Sequence, residues 1–499
     1  MSRLILIFFL IASINGTFWM NKEFGEVYPY EFFFHIFYGV GNLATINESH
    51  YQSFFTHIVI NPIIASIFIA VVLNILNHAK LQSPFVIKLS NVTQFIFSKK
   101  FLLAALLLAF IYLLYSINIH LLFTRDSETD FFETHYSQPN LKDIVAPEVK
   151  KNLILIYVES LSAEYESIKR YPENPLKDLK IKTQNNYSLN FKQGLTNRWT
   201  QAGLFDSMCG LPLKINFGRR FRDNPRLTRW NEKAQLFFKA QKSYPDFAPK
   251  IVCLGNVLRD HGYQNIFMGG ADLNFSGKGQ FLKQHGYHYL FGKAYWESIG
   301  EDRFNDWGLP DDRLFFHAKN KILELHQSEQ PFNFTMLTLN LHEPEGYTDQ
   351  TCTSRGYTNY LGLVKCTNEY LSNFIDFYYE HKLHHDTDLV IVGDHNPRNN
   401  ISLLDGQETD QSLIFNRFIS QTKLNINRES TYHFGLYPSI LHMLGFNFPN
   451  NKLGLEGSFF GEDHTPPSAK VSNLRPHELL TLINNYSLFY SKLMYSNEE

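Results

Sequence analysis

Two long uncharged stretches in the first quarter of this 499-residue chain restrict what it can fold into. Residues 54–77 (FFTHIVINPIIASIFIAVVLNILN) and 101–123 (FLLAALLLAFIYLLYSINIHLLF) contain no Asp, Glu, Lys or Arg. Each is long enough to cross the hydrocarbon core of a bilayer as a helix. A helix is also the open-chain form that satisfies every backbone polar group in lipid. A shorter run, 4–19 (LILIFFLIASINGTFW), precedes them. It reads as a retained helix over about 4–20 rather than a cleaved leader, because Ile14-Asn15-Gly16 lacks the small-x-small cleavage pattern.

Charge sets the expected orientation. The connection 78–100 carries Lys80, Lys88, Lys99 and Lys100 and no acid, whereas 20–53 carries Glu23, Glu26, Glu31 and Glu48 against Lys22. The positive-inside rule then puts 78–100 in the cytoplasm and everything after about residue 125 outside. All four cysteines, Cys209, Cys253, Cys352 and Cys366, lie in that outer part. An oxidising exterior would allow two disulfides in three pairings, and the short Cys352–Cys366 loop is the first expected. A net charge of −2 gives no global electrostatic case for nucleic acid. The expected organisation is a membrane region 1–124, a polar tether 125–150, a soluble domain 151–465 and a C-terminal tail 466–499.

The soluble part changes texture. Residues 152–158 (NLILIYV) form a near-continuous apolar run, as a strand buried on both faces does. Residues 264–268 (QNIFM), 332–341 (FNFTMLTLNL) and 388–392 (DLVIV) repeat it. Helical candidates lie between them, one opening at Pro249 and closing at Gly262, another over Thr367 to Tyr379. The alternation predicts an α/β fold, a central mostly parallel sheet flanked by helices. Ligands of such sheets bind at the carboxyl ends of the strands. The four runs end in Glu159, Gly269-Gly270, His342 and Asp394-His395.

Two carboxylates and an imidazole suit one divalent cation, manganese, magnesium or zinc. A first-turn acid would explain Glu159 alone but not its partners. Thr200 opens a helical pattern at Gln201-Ala202-Gly203-Leu204, where a threonine is commonly an N-cap. Beside a dication at a helix N-terminus, its hydroxyl would instead be an activated nucleophile.

In chain order, NLILIYVES, TNRWTQAGLFDSMCGLPL, GGADLNFSGKGQFLKQHGY, WGLPDDRLFF, LTLNLHEPEGY, CTNEYLSNFI and VGDHN resemble the lipid-headgroup transferases of the alkaline phosphatase/sulfatase superfamily. The likeness covers about residues 150–460 and is strongest to the glycerophosphotransferases of Gram-negative bacteria, more distant to lipoteichoic acid synthases. It implies an enzyme of a bacterial inner membrane with a periplasmic catalytic domain. The implied metal ligands are Glu159, Thr200, Asp394 and His395, with Thr200 also the nucleophile. It implies attack on phosphatidylglycerol, release of diacylglycerol, a phosphoglycerol-threonine intermediate, and transfer to a periplasmic or cell-surface glycan. The alternatives are a phosphoethanolamine transferase acting on lipid A or another glycan, a phosphodiesterase with water as acceptor, and, less favoured, a tethered binding module without activity. His342 and Lys278 would contact phosphate, and Asn274 and Trp199 would line the pocket. The sulfatase signature Cys/Ser-x-Pro-x-Arg is missing, since Cys209-Gly210-Leu211-Pro212-Leu213-Lys214 has the wrong spacing. The basic, aromatic insert 219–248 matches nothing in that family and reads as an acceptor-site wall or a surface excursion.

Overall fold

Helices occupy the three apolar stretches. The computed structural model describes residues 3–24, 48–78, 95–119, 129–167, 169–213, 248–343, 345–398, 413–462, 470–485 and 487–494, with isolated positions at 92 and between 27 and 34. The insert 219–248, apart from its last residue, lies outside this set, as do Lys80, Lys88 and the end of the third apolar stretch.

The chain divides into two units, residues 1–33 with 46–124, and residues 34–45 with 125–499. In the first, α1 (Arg3–Phe24), α2 (Asn61–His78, extended at its start by a π turn over Thr56–Ile60) and α3 (Lys99–Ser116) are long and apolar enough to cross a membrane. Leu6, Ile7 and Leu102 pack against one another, and Trp19 Nε1 donates to Ser53 Oγ at 2.9 Å. Phe18, Phe68 and Leu108 stay about two-thirds exposed. Large apolar side chains so placed suit a lipid-facing surface rather than a core.

The second unit is built on a six-stranded sheet. Its nine main strands are β1 (Asn152–Val158), β2 (Asn190–Lys192), β3 (Gln264–Gly269), β4 (Tyr289–Phe291), β5 (Phe332–Leu337), β6 (Thr387–Gly393), β7 (Leu413–Ile414), β8 (Asn416–Ile419) and β9 (Ser430–Tyr432). The large sheet runs β4-β3-β5-β1-β6-β8, with β8 antiparallel and the rest parallel, as the apolar runs predict. β7, β2 and β9 form a small second sheet. β1 lies in the middle, in register Tyr157 with Leu337 and Val158 with Gly393, so β1 and β6 end level and β5 one residue behind. Alternate β1 side chains enter two cores. Leu153, Leu155 and Tyr157 face one, and Ile154, Ile156 and Val158 the other.

Four helices matter below: α4 (Thr200–Cys209), α5 (Lys278–Gln284), α6 (Asp311–His326) and α7 (Tyr360–Glu380). The helix expected at Pro249 starts later, at Leu254, with Cys253 as its capping residue, because Asn256 Oδ1 accepts the Cys253 N–H there. The stretch 332–341 is a shorter strand than it reads. After Leu337 the chain turns: the Thr338 N–H still donates to the Tyr157 carbonyl of β1, whereas the Leu339 and Asn340 amides donate to Asp311.

Two segments read as peripheral enter the core. Phe131 and Phe132, within the expected tether, are buried, and Ser137 and Val145 bridge to Gly454 and Asn447. Leu479, Ile483 and Tyr490, within the expected tail, join the same cluster. Tyr490 also donates to the Pro212 carbonyl at 2.6 Å. In the first segment a few buried side chains lie between exposed ones, and in the second Leu479 and Ile483 share one face of an amphipathic helix whose packing partner the sequence does not name.

The disulfides are Cys209–Cys253 and Cys352–Cys366. The first staples the C-terminus of α4 to the next helix. Cross-linking residues 44 and 14 apart removes denatured-state entropy worth about 4 and about 3 kcal/mol. Thermal unfolding of the Cys209→Ser/Cys253→Ser and Cys352→Ser/Cys366→Ser proteins is expected to show losses of that size, larger for the first pair.

Candidate active site

Strand ends deliver the polar groups. Just beyond β1, Ser160 adopts a left-handed conformation (φ 53°), uncommon for a residue with a side chain. That turn aims the Ser160 N–H at Asp394 Oδ1 (2.9 Å) and lets the Ser160 hydroxyl donate to Glu159 Oε1 (2.9 Å). Asp394 and His395 follow β6 directly. The His395 N–H also donates to Asp394 Oδ1, at 2.8 Å. Asp394 Oδ2 is buried and makes no hydrogen bond.

His395 Nδ1 lies 2.8 Å from the Asn396 carbonyl, so this nitrogen donates and Nε2 faces the carboxylates. Nε2 is 3.2 Å from Glu159 Oε1 and 3.6 Å from Asp394 Oδ2. Glu159, Asp394 and His395 each offer a ligand atom within 4.8 Å of the others, and all are buried. Burial pushes the Asp394 carboxyl up to about 7, and the Glu159 charge adds to this. Burial acts upward on Glu159 too, but the His395 hydrogen bond and the nearby imidazoles hold it down at about 2. Burial alone would lower His395; Asp394 and Glu159 outweigh it and raise the imidazole to about 9. The cluster thus demands positive charge, here a proton on Nε2. A dication would take that place and release the proton. Two buried carboxylates, one oxygen without a hydrogen bond, and an imidazole oriented by a backbone carbonyl fit a hard or borderline divalent ion.

Thr200 is the first residue of α4 rather than its cap. Trp199 is the N-cap, and its side chain makes no capping bond. The Thr200 hydroxyl instead donates to Glu159 Oε2 at 3.3 Å. Two things let α4 start here. Its residues from Gln201 to Cys209 are all buried, and Gly203 lies against the Asp394 backbone. A Cβ on Gly203 would sit 2.1 Å from the Asp394 carbonyl oxygen. Gly203→Ala must therefore push α4 away from the β6 end. The expected result is a loss of activity of about 100-fold, at a stability cost of about 1–3 kcal/mol, read from steady-state rates and thermal unfolding of the variant. Gly270 serves similarly after β3, where a Cβ would meet the Leu309 carbonyl at 2.2 Å.

The other expected residues divide. Lys278 opens α5 and is buried; burial lowers its pKa, while Glu159, Asp394 and Asp272 pull it back up. His342 is close enough to Glu159 and His395 to feel both charges. Burial lowers its pKa, its Nδ1 is bonded to the Glu343 carbonyl (2.8 Å), and the Trp307 ring lies tilted against it with centroids 4.2 Å apart. Trp199 is buried with its ring 4.8 Å from that of Phe34. Asn274 is exposed; its backbone N–H, not its side chain, serves the turn by donating to Asp272 Oδ1.

Three residues escaped the sequence reading. Ser160 carries the strained turn, and nothing in its type signals that. Gln193 Oε1 accepts the Asn396 N–H from a distant loop. Arg398 N–H binds Glu343, its Nε binds the Arg198 carbonyl (2.5 Å), and its charge reaches His342 and His395. Its place four residues after Asp394 was the available clue.

Comparison with known proteins gives the family. A sulfatase family model matches residues 151–446. Among curated proteins, phosphoglycerol transferase I of Escherichia coli (strain SMS-3-5 / SECEC) is 31% identical over 300 residues, 58% of this chain and 36% of that protein. The match to phosphoglycerol transferase I of Escherichia coli O127:H6 is 30% over the same shares. The chain thus spans about a third of the length of these relatives. The lipoteichoic acid synthase LtaP from Listeria monocytogenes superposes with a TM-score of 0.45 at 16% identity, over 64% of this chain and 79% of that one, too loosely to argue from. Because the family model covers more than half of the chain, from the start of β1 to beyond β9, this protein belongs to the sulfatase family.

Proposed function

We propose that this protein transfers phosphoglycerol from phosphatidylglycerol to a periplasmic or cell-surface glycan, through an ester on Thr200. One observation carries the reading. The Thr200 hydroxyl stands at a buried helix N-terminus, 3.3 Å from a carboxylate of the Glu159, Asp394 and His395 cluster. Such a hydroxyl is placed to attack an anionic phosphorus.

Glu159, Asp394, His395 and Thr200 would hold one divalent cation. When bound, it lowers the hydroxyl's pKa and offsets charge on the phosphoryl oxygens. In the first half-reaction Thr200 Oγ1 bonds to phosphorus and the bond to the diacylglycerol oxygen breaks. Thr200 loses a proton and diacylglycerol gains one. In the second, a glycan hydroxyl bonds to phosphorus, Thr200 leaves, and the proton traffic reverses. Lys278 and the α4 terminus supply positive potential for the phosphoryl group. His342 is kept neutral by burial, with Nδ1 turned to Glu343, so Nε2 is the nitrogen able to exchange a proton with the leaving and entering oxygens.

The lysine asymmetry of the connections and the two disulfides support a catalytic unit on the outer side of the membrane. The name carried by the Escherichia coli relatives supports phosphoglycerol as the group moved. The full-length protein in nanodiscs, given labelled phosphatidylglycerol or phosphatidylethanolamine, is expected to release diacylglycerol from the first and to pass label to added glycan. Release from phosphatidylethanolamine alone would overturn the headgroup. Label appearing only as free glycerol phosphate would make the protein a phosphodiesterase.

A further inference from the structure

The segment between β5 and α7 is fastened by buried groups that the chemistry above leaves without a role. Asp311, the first residue of α6, is fully buried. Its two carboxylate oxygens accept from successive backbone amides, Oδ1 from Leu339 (2.7 Å) and Oδ2 from Asn340 (3.1 Å). Asn340 answers in both directions. Its Oδ1 accepts the Asp311 N–H (3.2 Å), and its Nδ2 donates to Asp349 Oδ2 (2.6 Å). Asp349 is itself held by the Tyr370 hydroxyl (2.7 Å) and the Cys352 N–H (2.7 Å). Tyr360 donates to the Leu341 carbonyl at 2.8 Å. Tyr360, Tyr370 and the disulfide partner Cys366 all belong to α7. Three consecutive residues, Leu339, Asn340 and Leu341, are thereby clamped between α6 and α7. The next residue is His342.

Carboxylates buried this deeply are costly. Two of them spent on one loop exit secure an orientation that a plain turn would leave loose. We propose that Asp311, working through Asn340 with Asp349 behind it, is a positioning residue that sets the His342 imidazole over the site. The inference rests on the proposed part of His342 in the reaction. Asp311 touches no reacting atom. Its effect is on His342 placement, and misplacement by about 1 Å costs on the order of 100-fold in rate.

A double-mutant cycle tests this in the full-length protein in nanodiscs, with diacylglycerol release from radiolabelled phosphatidylglycerol as readout. Asp311→Asn keeps one acceptor and turns an amide N–H toward the Asn340 N–H. It is expected to lower kcat by about tenfold or more, with KM for the lipid and bound metal unchanged. In a His342→Gln background the same substitution is expected to change the residual rate by less than about twofold, because coupled residues are non-additive. Equal losses in both backgrounds, or a loss in metal content, would overturn the positioning role while leaving His342 its part. No effect of His342→Gln alone would instead sink the reading of His342, and the proposal with it. Tyr370→Phe removes one hydrogen bond from Asp349 and keeps the packing, so it covers the case in which Asp311→Asn fails to fold. It should show a smaller loss of kcat with the same dependence on His342.

Discussion

Thr200→Ala is expected to lower lipid turnover by about three orders of magnitude or more, as loss of a nucleophile does elsewhere, while the protein stays folded. The second half of this expectation follows from the geometry. Thr200 is only half-buried, and its hydroxyl makes one long hydrogen bond, to Glu159. Removing it should cost on the order of 1 kcal/mol or less in stability. α4 keeps its start, because the Gly203 N–H still donates to the Trp199 carbonyl, Gly203 seats it on Asp394, and Cys209 ties its far end to Cys253. Diacylglycerol release and thermal unfolding, measured together on the same preparation, separate a missing nucleophile from a missing fold. Thr200→Ser keeps a hydroxyl at the same place and should retain a measurable fraction of the rate.

Asp394→Asn is expected to empty the cation site, with activity falling by about 100-fold or more. The substitution is nearly isosteric. Oδ1 can still accept from the Ser160 and His395 amides, so the Glu159–Ser160 turn and the end of β6 keep their form. What changes is Oδ2, the buried oxygen with no hydrogen bond, which becomes an amide nitrogen without charge. The two-carboxylate field over His395 is halved as well. Its Nε2 then loses part of the stabilisation that lifts it to about 9. Metal analysis of the purified variant should show well under one equivalent, against an expected one in the parent. Full occupancy in the variant would mean that Asp394 is not a ligand.

Stripping the parent protein with a chelator is the complementary experiment. In the metal-free form His395 carries a proton, and its folded pKa is raised above the ordinary imidazole value. That contribution to stability is fully present below about pH 6.5. It fades as pH rises through about 9, so the stripped protein should lose stability over this window. The metal-loaded protein should not, because its cation replaces the proton. Restoring manganese, magnesium or zinc should abolish the pH dependence and return activity.

Much of the sheet was legible in the sequence because burial on both faces leaves a plain signature. β1 and β6 are runs of apolar residues, and they feed alternate side chains into two cores. The strand-end rule points to Glu159, His342, Asp394 and His395; the structure puts ligand atoms of Glu159, Asp394 and His395 within 4.8 Å of one another, and His342 near enough to feel Glu159 and His395. Thr200 was harder. Its type and place suit a cap, and the distinction turns on Trp199 taking that position and on a hydroxyl facing Glu159. The left-handed turn at Ser160 has no counterpart in residue type. Neither does the clamp of Asp311 and Asn340, whose members are 29 residues apart and meet only because α6 begins where β5 ends. The tether and tail were misjudged for a different reason. Phe131 and Phe132 bury as a pair with no period that marks them, and the amphipathic spacing from Leu479 onward carries no sign that its apolar face enters the core.

On the proposed route Thr200 carries the transferred group. Full-length protein mixed with phosphatidylglycerol, without glycan, and quenched rapidly can be cut and read by mass spectrometry. The peptide containing Thr200 should gain the mass of one phosphoglycerol on that threonine, and the adduct should disappear when glycan is added. Diacylglycerol release with Thr200 unmodified at every time point, together with undiminished release by the Thr200→Ala protein, would contradict it.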